Sequence, residues 1–251
     1  MTRLIKATIS SLVAASLTGL IVSSSIPASA AVVERLPDLK MLKPSGLYIQ
    51  NTTTEKRLRF TTIITNAGTG KFDVRGSRPS TAYSRMSLKQ RIYRSDGTYR
   101  SISIPTTDSW AFYAGDGHAH WHVYKLQHFT IRPAYADGTY GGVVGRGAKT
   151  GFCFRDNTQI NLGLPYAPQT PSYTGCGGAS SLSIREGLSV GWGDKYSSNL
   201  AYQWIKINGL KDGLYRVTAR ADPGSDYLES NESNNASWVT IRLTGNTVTV
   251  I

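Results

Sequence analysis

Residues 90–104 read QRIYRSDGTYRSISI, two strand-like arms joined by Asp96-Gly97. An Asp-Gly pair between alternating segments is a strong signal for a tight β-hairpin turn. Residues 203–221, QWIKINGLKDGLYRVTARA, repeat this form around Asp212-Gly213. The sequence therefore predicts two antiparallel hairpins, one in the first half of the chain and one near its end.

The remaining segments extend this β pattern. Residues 58–70 (LRFTTIITNAGTG) and 236–243 (ASWVTIRL) are rich in β-branched residues and read as strands. No helical periodicity of ten residues is sustained after residue 30, and residues 157–187 read as a long loop rich in Asn, Gly, Pro and Ser. We predict an all-β, β-sandwich-like single domain with long loops.

Residues 1–30 have the features of a signal peptide. Arg3 and Lys6 precede an apolar stretch that ends in the small residues Ala28-Ser29-Ala30. A membrane anchor is the alternative, but the apolar run is short and interrupted by serines. We therefore expect a secreted, extracellular protein with a β domain over residues 31–251 and no membrane span after cleavage.

Two cysteines remain in the predicted exported chain. An even number in an oxidising compartment predicts one disulfide, between Cys153 and Cys176, with two free thiols as the alternative.

The chain is strongly basic, with 28 Lys and Arg against 16 Asp and Glu and a formal net charge of +12. Such a charge attracts acidic partners, and we expect acidic cell-wall or matrix polymers among them; simple solubility is the alternative. No run of Lys and Arg is interleaved with aromatic residues, so nucleic acid is not a predicted partner.

All four histidines lie in GDGHAHWHVYKLQH, residues 115–128. On a strand, His118, His120 and His122 would share one face, and three neutral imidazoles suit copper or zinc. A flat strand would separate the outer two by about 13 Å, so we expect the segment to curl, as Gly115 and Gly117 permit. His128, about 20 Å beyond on a continued strand, is predicted to be a residue of the catalytic pocket and not a ligand.

Further motifs make the chain resemble the lysyl oxidase family, including its secreted bacterial members. The family's H-x-H-x-H copper motif reads HAHWH here, its K-x-x-F-C segment reads KTGFC with Lys149, and its D-x-Y segment reads DKY with Tyr196. The segments GLSVG, QWIKI, LPDL and LRFTTIITNAGTG also fit, so the resemblance extends from about Leu36 to Leu243.

The resemblance implies a copper-dependent amine oxidase. Lys149 and Tyr196 would form lysine tyrosylquinone, with copper at His118, His120 and His122, and primary amines or peptidyl lysine would be converted to aldehyde, ammonia and hydrogen peroxide by molecular oxygen. Asp156 matches an acidic position of the family, and it is expected to be a base or a pocket hydrogen-bond partner. The alternative is a non-catalytic, secreted zinc- or copper-binding β-sandwich that adheres to cell wall or matrix.

A second match, ESNESNN at residues 229–235, implies a calcium site, because the corresponding stretch of some animal relatives binds calcium. The matching oxygen donors are Asp38, the Leu39 carbonyl, Glu229, Asn231, Asn234 and Asn235. Oxygen is the ligand that calcium prefers. Asn231 stands where a carboxylate would be, so a self-capped Asn-rich loop is the alternative.

Overall fold

The computed structural model describes residues 31–115 and 117–251. The predicted signal peptide, residues 1–30, lies outside this part of the chain. Residues Val32–Ile251 form one unit, and none of its described residues is in an α-helix. Within residues 31–115 and 117–251, no helix has the length and hydropathy that a bilayer crossing requires. The prediction of an all-β single domain is confirmed.

The described residues form nineteen strands, numbered here in chain order. They are β1 (Glu34–Arg35), β2 (Leu39–Met41), β3 (Ser45–Asn51), β4 (Lys56–Asn66), β5 (Phe72–Ser77), β6 (Arg85–Arg94), β7 (Tyr99–Ile104), β8 (Ala111–Tyr113), β9 (Trp121–Tyr124), β10 (Gln127–Pro133), β11 (Gly145–Arg146), β12 (Gly151–Phe152), β13 (Thr158–Gln159), β14 (Ser183–Leu188), β15 (Trp192–Tyr196), β16 (Trp204–Lys206), β17 (Gly213–Ala221), β18 (Ala236–Thr244) and β19 (Thr247–Val250).

These strands make three sheets. The first has the order β12-β9-β8-β6-β5-β14, with β1 and β7 also paired to β6. The second has the order β11-β10-β17-β18-β19, and the third has the order β13-β15-β4-β16, with β2 and β3 also paired to β4. Every ladder among the named strands is antiparallel. Short antiparallel strands joined by turns are what the Gly, Asp and Asn spacing predicts.

A chain of aromatic rings joins the three sheets in one apolar core. Phe60 of β4 packs edge-on against Phe129 of β10, with ring centroids 5.2 Å apart. Phe129 contacts Phe152 of β12 at 6.0 Å, and Phe152 contacts Tyr196 of β15 at 5.2 Å. Edge-to-face pairs of this kind add to the free energy of apolar burial. The candidate site described below therefore rests on the centre of the core.

The first predicted hairpin is confirmed. Strands β6 and β7 pair in register from Leu88–Ile104 to Tyr93–Tyr99. Gly97 adopts a φ of +84°, and the Asp96 carboxylate accepts hydrogen bonds from the backbone and hydroxyl of Thr98. The Asp-Gly pair works because glycine tolerates a left-handed conformation that other residues rarely adopt.

The second predicted hairpin, residues 203–221, is wrong. Its first arm, β16, pairs with β4 of the third sheet, whereas its second arm, β17, lies between β10 and β18 of the second sheet. The chain leaves β16 through a turn in which Gly209 has a φ of +74°. Alternation of apolar and polar residues specifies a half-buried strand, but it does not specify which neighbour that strand joins.

The strands predicted at residues 58–70 and 236–243 are confirmed as β4 and β18. The predicted loop at residues 157–187 is irregular over most of its length, but it also contains β13 and most of β14. Strand β14 pairs with β5 in full register, so the loop prediction is wrong over Ser183–Gly187. The segment SIREGL, residues 183–188, contains two charged residues and a glycine, which are uncommon in strands, so the sequence did not indicate β14. In the structure, Ile184 and the residues from Glu186 to Leu188 are buried.

Candidate active site and metal centre

The histidine segment curls immediately before β9. The His120 amide donates to the His118 carbonyl at 2.8 Å, and Gly115 and Gly117 adopt φ values of +54° and +89°. The curl brings the ring centroids of His118, His120 and His122 to within 4.9–5.7 Å of one another. The curl expected from the sequence is confirmed, and it depends on glycines that accept left-handed backbone.

The three imidazoles have a geometry that suits one transition-metal ion. Each contributes a ring nitrogen, and these nitrogens lie within 4.8 Å of one another. The Nε2 atoms of His120 and His122 are 3.0 Å apart. Two nitrogens about 2 Å from a shared ion would stand at nearly this separation. The donor set therefore fits copper or zinc.

Neighbouring backbone contacts fix the segment. Trp121, between two of the histidines, is fully buried, and its indole N–H donates to the Gly178 carbonyl at 2.9 Å. The Trp121 amide donates to the Cys176 carbonyl at 3.1 Å. The loop that carries Cys176 thus anchors the start of β9 and the orientation of the histidines on it.

His122 is the most buried of the three histidines. It is 3% exposed, and its pKa is lowered to about 2 by burial and by the nearby charges of Lys149, His120 and His118. Desolvation disfavours the charged imidazolium. At neutral pH the ring is therefore neutral, which is the form that binds metals.

Lys149 lies in the apolar core beside this cluster. The residue is 5% exposed, and its Nζ lies 5.4 Å from the Phe152 ring centroid and 5.5 Å from that of Tyr196. Strand β12, which follows it, pairs with β9. A side chain at Gly151 would come within 2.4 Å of Phe112 and 2.9 Å of His122, so glycine is required for this close packing.

Tyr196 ends β15 and faces the same region. The residue is 7% exposed, and its hydroxyl donates to the Cys153 carbonyl at 2.7 Å. Burial and the carboxyl of Asp194 raise the pKa of the Tyr196 phenol well above its ordinary value. The ring is therefore held as a neutral phenol, oriented by one backbone acceptor and by the edge of Phe152.

Asp194 is a site residue that the sequence interpretation missed. It is 1% exposed, it accepts a hydrogen bond from the Asn157 amide, and burial raises its pKa to about 8. The signal was present in the D-x-Y segment, since residues two apart on a strand face the same side. Asp194 and Tyr196 line one cavity of about 220 Å³ together with His118, His120, His122, Cys153, Arg155, Asn157, Lys195 and Leu200.

His122 also lines a second cavity, of about 250 Å³. Its walls are Phe112, Ala114, His122, Ala148, Lys149, Thr150, Gly151 and Tyr202. Because His122 belongs to both cavities, and Lys149 Nζ lies 5.5 Å from the ring of Tyr196, the two spaces meet at the candidate metal centre.

Two candidate catalytic residues lie apart from this pair. The Asp156 carboxylate accepts hydrogen bonds from the amides of Ser172 and Tyr173 in the loop region, and from the amide and hydroxyl of Ser189 just after β14. His128 lines a different cavity, where its Nε2 lies 3.2 Å from Arg146 Nη1. The structure does not bring either residue to the walls of the two cavities at the histidine cluster.

The predicted disulfide between Cys153 and Cys176 is confirmed. It joins Cys153, which follows β12 and accepts the Tyr196 hydrogen bond, to the loop whose Cys176 carbonyl anchors Trp121. One covalent bond therefore supports both the histidine segment and the tyrosine.

Glu229 contacts two other residues of the predicted calcium set, Leu39 through its amide and Asn235 through its side chain. The Glu229 carboxylate accepts both hydrogen bonds, and burial raises its pKa to about 8. Ligand oxygens of Asp222, Glu229 and Glu232 lie within 4.8 Å of one another. Asp222 and Glu232 were not among the sequence candidates.

The other members of the predicted calcium set differ in their contacts. Among the described residues, no hydrogen-bond donor meets the buried Oδ1 atoms of Asp38, Asn234 and Asn235, whereas Asp38 Oδ2 pairs with Lys40 at 3.0 Å. Asn231 Oδ1 accepts from the amide and hydroxyl of Ser233 and so caps its own turn. Asn231 therefore caps its own loop, as the alternative interpretation predicts, while the buried oxygens of the other three residues are of the type that calcium prefers.

Comparison with known proteins points in one direction. A family model described as lysyl oxidase matches residues 83–251. Lysyl oxidase homolog 1 of Homo sapiens is 27% identical over 157 residues, which are 62% of this chain and 24% of that protein. Protein-lysine 6-oxidase of Sus scrofa is 27% identical over 157 residues, 62% of this chain and 55% of that protein. The matched segment thus spans about a quarter to about half the length of these relatives.

Proposed function

Since this chain belongs to the lysyl oxidase family, we propose that it is a secreted, copper-dependent amine oxidase. It converts primary amines, the side chain of peptidyl lysine among them, to aldehydes with release of ammonia and hydrogen peroxide. Lys149 and Tyr196 form the lysine tyrosylquinone of this enzyme. The observation that carries the proposal is the 5.5 Å between Lys149 Nζ and the Tyr196 ring, beside three clustered imidazoles.

The surroundings of the histidines, Tyr196 and Lys149 support a separate role for each in the proposed oxidase. His118, His120 and His122 would hold the copper ion, which together with the quinone supplies the redox chemistry when bound. The Cys153 carbonyl orients the Tyr196 hydroxyl, and burial keeps water from the ring. The Lys149 side chain can close the distance to the ring by rotation about its own bonds. Formation of the quinone would replace a ring C–H of Tyr196 with the bond to Lys149 Nζ and would place a second oxygen on the ring. Molecular oxygen would supply that oxygen atom and accept the electrons, leaving as water and hydrogen peroxide.

Asp194 is proposed as the group that accepts a proton from the substrate. Its pKa of about 8 gives it appreciable amounts of both protonation states near neutral pH, as efficient proton transfer requires. Asp194 and Tyr196 share a cavity wall, and the Asn157 amide holds one carboxylate oxygen. Asp156 has a structural role in this proposal, because its carboxylate joins Ser172 and Tyr173 of the loop region to Ser189.

The dimensions of the two cavities favour a single aminoalkyl chain as substrate. Volumes of about 220 and 250 Å³ admit one such side chain near His122. Neither cavity is lined by an ionised carboxylate cluster, and the chain is net basic. An amine on a neutral or acidic substrate molecule is therefore expected to enter more readily than one on a highly cationic substrate.

Secretion is proposed from residues 1–30 as a signal peptide, which leaves residues 31–251 as the catalytic domain. The Cys153–Cys176 disulfide supports an oxidising destination. We also propose that the cluster of Asp222, Glu229 and Glu232 holds calcium and braces the domain, since Glu229 links β2 to the loop before β18.

An amine-dependent peroxide assay tests the function. Protein matured with copper in air is supplied with n-butylamine or a lysine-containing peptide, and peroxide is measured beside the Lys149→Ala variant. Lys89→Ala, an exposed lysine on β6, is the matched control and should keep the wild-type rate. Peroxide lost only in Lys149→Ala supports the oxidase. Peroxide from neither wild type nor variant, with metal bound, would favour the non-catalytic metal-binding β-sandwich.

A further inference from the structure

One face of the second sheet is a basic surface, distinct from the candidate active site. Antiparallel pairing sets Arg132 of β10 opposite Arg216 of β17, and His128 opposite Arg220. Arg146 of β11 stands opposite Thr130, which itself faces Thr218. These side chains line a cavity of about 380 Å³ together with Tyr140, Val143, Ala236 and Trp238. This set is called the basic sheet face below.

The basic sheet face concentrates positive charge without internal compensation. No acidic residue lines its cavity, and none of the ion pairs formed among the described residues involves its arginines. Like charges directly opposite on neighbouring strands destabilise a sheet. The pair Arg132–Arg216 therefore costs stability unless an anion lies across it.

Aromatic rings hold the guanidinium groups in place. Arg216 lies over the Trp238 ring at 3.9 Å and over the Tyr140 ring at 4.6 Å, and Arg132 lies over Tyr140 at 5.5 Å. Stacking engages the flat face of a guanidinium and leaves its in-plane N–H groups for carboxylate or sulfate oxygens. The arginines are thus arranged as donors before any ligand arrives.

The spacing indicates a ligand with several anionic groups. His128 and Arg132 are four residues apart on β10, which is about 13 Å along a strand. Arg220 and Arg216 repeat this spacing on β17, so an arginine stands at each end of the face, with Thr130, Thr218 and Arg146 between them. One carboxylate or sulfate is far shorter than this, whereas a chain with acidic groups separated by hydroxylated units would meet both ends.

We propose that the basic sheet face binds an acidic polysaccharide, carboxylated or sulfated. Arginine forks at the two ends take the anionic groups, and Thr130 and Thr218 meet the neutral hydroxyls between them. A nucleic acid fits less well, because Arg216 already covers faces of the two aromatic rings on which bases would stack. The surface would tether the secreted protein to an acidic matrix independently of the oxidase site.

Binding of defined probes to the mature chain tests this proposal. The probes are a polygalacturonate oligosaccharide, which is carboxylated, a heparin oligosaccharide, which is sulfated, neutral dextran, and a single-stranded oligonucleotide. Titration calorimetry at several sodium chloride concentrations should show binding of at least one acidic glycan and none of dextran. The carboxylated and sulfated arms identify which oxyanion the surface prefers.

Paired variants assign the binding to the face. The double change Arg132→Gln/Arg216→Gln should weaken glycan binding about tenfold at moderate salt and reduce the slope of log affinity against log salt by about two. Lys89→Gln/Arg91→Gln removes two cations that lie two residues apart on β6 of the first sheet, and it should leave the affinity unchanged. Arg220 is exposed at the other end of the basic sheet face, and Arg220→Gln should also weaken binding. If the double variant fails to fold, this single variant tests the proposal.

Three outcomes would overturn the proposal. The first is an equal loss in the β6 control, which would mean attraction by net charge alone. The second is tighter binding of the oligonucleotide than of either acidic glycan. The third is the absence of binding by both glycans to wild-type protein.

Discussion

The Nζ atom of Lys149 lies 5.5 Å from the centroid of the Tyr196 ring, although forty-seven positions separate the two residues in sequence. Lys149 precedes β12 of the first sheet, and Tyr196 ends β15 of the third. Phe152 packs against the ring and lies 5.4 Å from the amine, so one core aromatic residue aligns both partners. Packing between sheets creates this pairing, and the proposed quinone depends on it.

The first prediction concerns a covalent link between these two residues. Protein matured with copper in air should give, after proteolysis, one joined peptide that contains Lys149 and Tyr196. Peptide mapping by mass spectrometry measures this, and Lys149→Arg should give separate peptides because a guanidinium is a poor nucleophile at neutral pH. Separate, unmodified peptides from the wild type would support the metal-binding alternative.

Loss of a histidine should remove the metal. His122→Ala deletes one of three imidazoles, so copper affinity should fall by at least about a hundredfold, the upper range seen when only a supporting residue is lost. Metal content after dialysis measures the effect, and the variant should give no quinone stain. His128→Ala is the matched change in a different cavity, and equal metal loss in both variants would contradict the assignment.

Asp194 should make the metal-free protein less stable as pH rises. Its folded-state pKa of about 8 exceeds the ordinary value of 3.8, so between these values the folded state binds a proton that the unfolded state has released. The cost by pH 8 is on the order of several kcal/mol. Urea unfolding at pH 5 and pH 8 should show a smaller pH-dependent loss for Asp194→Asn. If the free energy of unfolding changes equally with pH in the wild type and in Asp194→Asn, then burial does not raise the pKa of Asp194 as stated.

Removal of the disulfide should destabilise the domain. The bond closes a loop with a sequence separation of 23, for which loop entropy predicts about 3 kcal/mol. Chemical unfolding of Cys153→Ser/Cys176→Ser measures the loss, and reductant should lower the stability of the wild type alone. An unchanged midpoint would show that hydrogen bonds at Cys153 and Cys176 suffice to hold the loop.

Calcium should stabilise the protein through Glu229. An extracellular site of ordinary affinity would add about 1–3 kcal/mol at 10 mM calcium, measured as a rise in Tm after removal of metals with chelator. Glu229→Gln should abolish the rise, whereas Glu55→Gln, a surface glutamate on another loop, should retain it. A rise of equal size in Glu229→Gln would contradict the proposed site.

Local chemistry made part of this structure predictable. The hairpin at Asp96-Gly97, the strand β4 and the curl of the histidine segment follow from side-chain size, β-branching and glycine φ within a few residues. The disulfide followed from the count of two cysteines in a predicted export context. The D-x-Y spacing held a further signal that Asp194 shares a strand face with Tyr196.

The tertiary structure decided the partners and the environments. The two arms of residues 203–221 carry a hairpin pattern, yet they join different sheets because strand edges elsewhere supply their hydrogen bonds. The sequence offered Asp156 as the acidic site residue, whereas the fold buries Asp194 in the cavity and raises its pKa. The sequence by itself indicated several of the strand segments and the three clustered histidines that could bind a metal. Only the packed sheets determined which side chains meet and lose water, because desolvation and strand pairing depend on residues distant in the chain.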